Sequence, residues 1–388
     1  MTKNRRVAVA VNMSYPVRHH YEVVGGIQRY AREHAGWECV VEPYIRNLQK
    51  CRGKTGYDGI VGRASADLAR QAAKAGVPLV NVWAGSPVTS LPCVTVDWEA
   101  CGRMAAEHLL LRGFRQFAFQ GIIRHRGTPL AAAAFKASLR AAKCGSTNML
   151  TSTHFDENAE SWSRYMARLE RWIRGCKTPL GVFSLHDYFC RHMADACLHL
   201  GLHVPEDVAL IGLGNEMVAC TLSEPSLSSI DVGWDRVGYE AAALLDRLMA
   251  GKPPPETPIF ISPKELVVRR STDVSVVDNP LVAAALRYIA EHSHEYLQVA
   301  DVAKHVHTTV RSLSRHFLAA MGRTMTDEIA RLRLERAKRL LVESNQPIKQ
   351  LAMDCGFSDA TYFGRVFLQA EGVTPSEFRR QRLSGKEE

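Results

Sequence analysis

Residues 357–372 read FSDATYFGRVFLQAEG, and fifty positions earlier residues 309–322 read TVRSLSRHFLAAMG after a leading Thr308. At that constant offset Arg315 matches Arg365, Phe317 matches Phe367, Leu318 matches Leu368, Ala320 matches Ala370 and Gly322 matches Gly372. The echo runs on through Thr324 and Thr374 to the acidic pair Asp327 and Glu377. A short helix used twice, with an arginine at the same place, implies one task performed twice. In the second copy a helix with Leu351 and Ala352 facing inward stops at Gly356, the residue best suited to a positive-φ turn. Phe357 then plugs the core, Ser358 or Asp359 caps a new helix, and Phe363 and Phe367, four apart, hold it down. That pattern is a helix-turn-helix. Its opposite face carries Ala360, Thr361, Gly364 and Arg365, small or polar groups around one long cation. Such a face can approach base edges in a major groove, where an arginine bridges guanine O6 and N7.

The first copy puts Val302, Ala303, Leu313 and Phe317 in the inward places and leaves Thr309, Val310, Arg311, Ser312, Ser314 and Arg315 outward. His307 stands where Gly356 stands and Thr308 replaces Phe357, so this turn is expected to be less stable or reshaped. Between the copies Ala330, Leu334, Ala337 and Leu341 form one apolar stripe on a helix of about 18 residues, near 27 Å long. A strut of that length can set two reading helices about one DNA turn apart, roughly 34 Å.

The chain as a whole is consistent with a DNA partner. Its 388 residues carry a formal charge of +9, and residues 299–382 hold 14 Lys/Arg against 9 Asp/Glu. A chain of this length exceeds one ordinary core. It contains no apolar run of the length that spans a bilayer. The N-terminal RRVAVAV reads as a first strand rather than a secretory signal. Ten cysteines stand singly with no CxxC pair, as expected of reduced thiols in a cytoplasmic protein, and the fifteen histidines lack metal-ligand spacing. GKT at 53–55 lacks a Walker loop, and GLGNEM at 212–217 lacks the third glycine of a dinucleotide fingerprint. A nucleotide-cofactor enzyme is therefore the disfavoured reading, and no catalytic residue, metal or cofactor is expected.

Up to about Ser271 short apolar runs alternate with helical periods. Strands are expected at VAVAV (7–11), YDGIVG (57–62), VPLVNVWA (77–84), FAFQG (117–121), LGVFSL (180–185) and VALIGLG (208–214), with helices such as DLARQAAKAG and HDYFCRHMADACLHLG between them. Alternation of this kind implies parallel sheets covered on both faces, and its length suits a two-lobed α/β domain with a ligand cleft. The pattern ends at STDVSVVDNP, after which Asn279 caps a helix with Pro280 at its first position and no strand follows. The expected domains are therefore 1–272 for ligand sensing, a linker at 273–279, and an all-α domain at 280–388 with two helix-turn-helix motifs.

Through RLRLERAKRLL, IKQLAMDCGFSDATYFGRVF and GVTPSEFRR, the chain from Pro280 to Arg382 resembles the DNA-binding domain of AraC-type transcription regulators. That resemblance implies base contacts from Arg311 and Arg315 in the first reading helix and from Thr361 and Arg365 in the second, with Thr309, Ser312 and Ala360 beside them. VTVDWEACGRMAAEHLLLRGFRQFAFQG, HLGLHVPEDVALIGLGNE and ELVVRRST make the first 270 residues similar to the sugar-binding core of lactose-repressor-type regulators and periplasmic sugar-binding proteins. The combination resembles the xylose operon regulator family over essentially the full length. It implies a periplasmic-binding-protein-like sensor, a DNA operator, a small carbohydrate effector and a homodimer. Asp97 and Asp187 match that pattern as acceptors for sugar hydroxyls, whereas His20, Ala131 and Gly214 depart from it. Arg124, His125, Arg126 and Asn215 lie close by in sequence. The expected ligand set is His20, Asp97, Arg126, Asp187 and Asn215, for a polyhydroxylated ligand other than xylose. The alternative is a sensor that has lost its sugar and serves as a dimerisation scaffold.

Overall fold

The computed structural model describes residues 5–11, 18–42, 45, 56–144, 147–152, 159–273, 279–321, 323–344 and 346–384. Residues 1–4 and 12–17 at the start of the chain, GKT at 53–55, positions 274–278 of the expected linker and Gly322 of the repeat lie outside them. Internal contacts divide the chain into two units, Met1–Val274 and Ser275–Glu388.

In the first unit a parallel sheet in the order β2-β1-β3-β4 is built from β1 (Arg6–Ala10), β2 (Glu38–Val41), β3 (Gly59–Gly62) and β4 (Leu79–Asn81). Val7 sits between Cys39 and Gly59 in its register. The helices of this lobe are α1 (Arg18–Tyr30), α2 (Ala66–Ala75) and α8 (Trp234–Met249). A second sheet, ordered β12-β10-β9-β8-β6-β7, contains β6 (Gln116–Ile122), β7 (Thr147–Ser152), β8 (Leu180–Ser184), β9 (Val208–Leu213), β10 (Ser228–Asp231) and β12 (Glu265–Val267). Only β12 runs antiparallel among these strands. Around this sheet lie α3 (Trp98–Leu111), α4 (Gly127–Ala141), α5 (Ala159–Arg174), α6 (Asp187–His199) and α7 (Met217–Thr221). Every residue of β3, β8 and β9 is buried, as expected of parallel strands covered on both faces.

A short parallel pair, β5 (Val94–Val96) and β11 (Ile259–Ile261), completes the unit. β5 leads directly into α3, β10 into α8, and β11 into β12, so the chain passes three times between the lobes. Six strands are absent from the sequence reading: β2, β5, β7, β10, β11 and β12. Most are three or four residues long, too short to carry a period, and β5 finds its partner more than 160 positions away.

The second unit is helical: α9 (Pro280–His292), α10 (Val299–His305), α11 (Val310–Met321), α12 (Met325–Glu343), α13 (Ile348–Asp354), α14 (Ala360–Glu371) and α15 (Pro375–Ser384). Asn279 caps α9 by accepting from the Leu281 N–H at 3.0 Å, with Pro280 at the first position. Two separate cores form. Leu313 and Phe317 pack with Val302, Ala303, Met325 and Ile329, and Phe363 and Phe367 pack with Leu334, Ala337, Leu341, Leu351, Ala352 and Phe357. The apolar stripe of α12 is thus broader than expected. Met325 and Ile329 serve the first motif, while Leu334, Ala337 and Leu341 serve the second.

Candidate nucleic-acid interface and ligand cleft

Each reading helix is fastened by its apolar face and left open on the other. In α14 Asp359 accepts from the Tyr362 N–H at 2.7 Å, and Phe363 and Phe367 are fully buried. Thr361 and Arg365 are exposed, Ala360 and Gly364 partly so, and a side chain at Gly364 would meet nothing within 4 Å. In α11 Leu313 and Phe317 are buried while Arg311 and Arg315 are exposed, and Thr309 caps the helix by accepting from the Ser312 N–H at 3.2 Å. Among the described residues no carboxylate pairs with Arg311, Arg315 or Arg365. The Arg365 guanidinium rests over the Tyr362 ring at 5.6 Å. Two unpaired guanidiniums at matched positions on two open helix faces are suited to phosphates and guanine edges.

The second half of the sequence echo has its own physical cause. Thr324 and Asp327 form a capping box at the start of α12, and Thr374 and Glu377 form the equivalent hydrogen bonds at the start of α15. Hydrogen bonds from the threonines hold both carboxyls below their ordinary range. These pairs start helices.

The two turns differ. Gly356 has φ +82, and a Cβ there would lie 2.7 Å from both the Ser293 and the Glu295 carbonyl oxygens. His307, its counterpart, adopts φ +54 and is exposed. The left-handed residue is therefore kept in the first copy, at the cost of holding a side chain in that region, but the cap of the reading helix follows two residues later at Thr309 and three residues later at Asp359.

In the first unit all five expected ligand residues are engaged by other protein groups. Asp187 is fully buried: Oδ1 accepts from the Ser229 hydroxyl at 2.6 Å and Oδ2 from the Glu216 N–H at 2.7 Å. Burial pushes its carboxyl up to about 6 against these bonds. Asn215, at φ +50, donates from Nδ2 to Asp231 and accepts from Arg269 at 2.7 Å. Arg126 crosses from the α4 side to donate to the Ser86 carbonyl. Asp97 caps α3 through the Ala100 N–H at 2.8 Å. His20 is buried with Nε2 3.1 Å from Arg63 Nη1, so the imidazole accepts and is neutral. Arg124 is exposed at φ +58.

Ala131 and Gly214 need correction as altered ligand contacts. Ala131 is wholly buried between α3 and α4, where its carbonyl lies 2.3 Å from the position a Cβ on Gly102 would take. Gly214 has φ +117, a conformation for which glycine is suited whatever the ligand.

An aromatic cluster in the first unit carries no motif signal in the sequence. Trp98 and Trp234 have ring centroids 6.5 Å apart, His19 lies 5.2 Å from Trp234 and His125 4.9 Å from Trp98. Arg63 stacks over Trp83 at 4.7 Å. Burial, with His20, His186 and Arg63 nearby, lowers His19 to about 2, and burial lowers His125 to about 4, so both are neutral hydrogen-bonding groups near neutral pH. Aromatic walls with a few polar groups are the composition of a small-molecule site. The available signal was positional: Arg63 and Trp83 follow the carboxyl ends of β3 and β4, where crevices of parallel sheets bind ligands. Across the cleft Arg18 of α1 donates to the Asn215 carbonyl at 2.6 Å, and its own N–H donates to Glu216 at 2.7 Å.

Comparison with known proteins agrees with both units. Residues 106–272 match a periplasmic binding protein-like domain and residues 302–381 a helix-turn-helix domain. The xylose operon regulatory protein of Haemophilus influenzae is 30% identical over 288 residues, 74% of each chain, and that of Escherichia coli K12 is 29% identical over 385 residues, 97% of each. The solved structure of a xylose-binding transcription activator superposes with a TM-score of 0.74 at 26% identity, covering 98% of both chains. This architecture defines a DNA-binding transcription regulator of AraC type with a sugar-binding-protein-like sensor. The chain belongs to the family of the xylose operon regulatory proteins.

Proposed function

We propose that α11 and α14 enter two adjacent major grooves of one operator, and that a small neutral aldopentose in the cleft of the first unit controls that binding. The observation that carries the DNA reading is the pair Arg315 and Arg365, exposed, unpaired and equivalent on two separately cored motifs. The sugar reading rests on the aromatic wall, the neutral histidines and the named relatives, and xylose is the first compound to test. Closure on the ligand would reorient the sensors of a homodimer, a shift limited by the ligand's differential affinity for the two states. We place this non-catalytic regulator in the cytoplasm.

The occupied state of Asp97, Asp187, Asn215 and Arg126 favours one second reading, a sensor retained as a dimerisation scaffold. Thermal-shift measurement against pentoses, hexoses, sugar acids and sugar phosphates separates the two, because a ligand that binds only the folded state raises its stability. A shift with xylose or another pentose supports the sensor. A shift only with sugar acids overturns the neutral-ligand reading, and silence across the panel supports the scaffold.

A further inference from the structure

Among the described residues the two reading motifs have no buried apolar side chain in common. Their cores are separate clusters, and α12 lends Met325 and Ile329 to one and Leu334, Ala337 and Leu341 to the other. A groove lined by Leu297, Val299, Ile329, Phe357 and Tyr362 runs along the seam, so apolar packing does not close it. Arg333 stands on α12 between Ile329 and Leu334, at that seam. Its Nε donates to the Ser293 carbonyl at 2.8 Å and its Nη2 to the Glu295 carbonyl at 2.9 Å, while its guanidinium faces the Phe357 ring at 5.9 Å. Ser293 and Glu295 belong to the turn between α9 and α10, ahead of the first motif. Phe357 belongs to the turn of the second. The same two carbonyls are those that a side chain on Gly356 would strike. One planar fork on the strut therefore holds the α9–α10 turn, which leads into the first motif, against the turn of the second.

We propose that Arg333 is a positioning residue for DNA recognition: by clamping the 293–295 turn against Gly356 and Phe357 it sets the separation and phase of the two reading helices, and hence the half-site spacing the protein accepts. A reader lies about 14 Å along the strut from the seam, so a hinge of about 10° displaces it by roughly 2 Å, enough to break a direct hydrogen bond to a base. A single point charge cannot reproduce a planar fork that reaches two carbonyls at once.

The inference rests on the two-reader reading, and the test separates their failures. Duplexes selected from a randomised pool by the full-length wild-type chain are remade with the half-sites one or two base pairs closer or farther, and as single half-sites. Arg333→Met keeps an unbranched stem beside Phe357 and removes the donors. The expected result is that wild type discriminates by about 10-fold or more against altered spacing, whereas R333M discriminates by less than about 3-fold and binds single half-sites as wild type does. Arg333→Lys should recover part of the discrimination, and it carries the same comparison if R333M does not fold. Wild-type spacing discrimination in R333M, or an equal loss on single and paired half-sites, overturns the proposal. If R315A and R365A leave paired-site binding unchanged on these duplexes, the two-reader reading itself fails.

Discussion

The first and second helix-turn-helix motifs keep apolar residues at the same inward places, an outward arginine at the same place and a threonine–carboxylate capping pair downstream, yet they differ at the turn. The second has Gly356 and Phe357 where the first has His307 and Thr308. The second turn is an internal surface, pressed on the carbonyls of Ser293 and Glu295 and plugged by a ring 4.9 Å from Phe363. The first turn faces solvent, so a side chain in the left-handed region is tolerated there. A left-handed residue ends the leading helix of both motifs, but the second turn is one residue longer, and what lies beyond that residue decides whether a glycine is required; on the reading faces Arg315 and Arg365 are kept while their neighbours differ.

Giving the second turn the first one's residues should break this contrast most strongly. Phe357→Thr removes a ring that is 3% exposed and should destabilise the helical unit by about 3–4 kcal/mol. Urea denaturation of the full chain measures it, and a loss under about 1 kcal/mol would mean that the plug is dispensable. Gly356→His adds both left-handed strain and a collision with two carbonyls, and a loss of about 2–4 kcal/mol is expected in the same measurement.

The equivalence of the readers is the next target. Arg315→Ala and Arg365→Ala should each weaken specific binding by about 1–3 kcal/mol and relax base preference in a different half-site. Fluorescence anisotropy with footprinting reads both, and a protected region shorter than about 10 base pairs would sink the two-groove arrangement. The smallest effect sharpens the contrast rather than breaking it. His307→Gly relieves a left-handed side chain with no neighbour to satisfy, so a gain of about 0.5–1 kcal/mol is expected, reduced by the freer unfolded chain. A loss of stability would show that His307 makes a contact of its own.

Legibility varied with the range of the interactions involved. The helical unit was readable because its signals are local: a cap at Asp359, phenylalanines four apart, a glycine at a turn, all within twelve residues. The long buried strands β1, β6, β8 and β9 were readable as apolar runs. β5 and β11 were not, because a three-residue strand is defined by the partner it meets rather than by its own composition. In the first unit the polar residues were legible but their protein partners were not. Asp187 reads as a loop carboxylate available to hydroxyls, and only the approach of Ser229 and the Glu216 N–H turns it inward.

By itself the sequence determined that this protein has a sensor of alternating strands and helices ahead of a duplicated DNA reader, and which arginines the reader presents. Periodicity, caps and repeats act within a few residues and survive without any knowledge of the fold. The tertiary structure alone decided that Ala131 lies in helix packing, that Trp98 and Trp234 gather with neutral histidines, and that Arg333 joins two motifs whose described buried apolar residues fall in separate cores. Those outcomes depend on groups distant in the chain competing for the same space and the same hydrogen bonds, and that competition is settled only when the chain is packed.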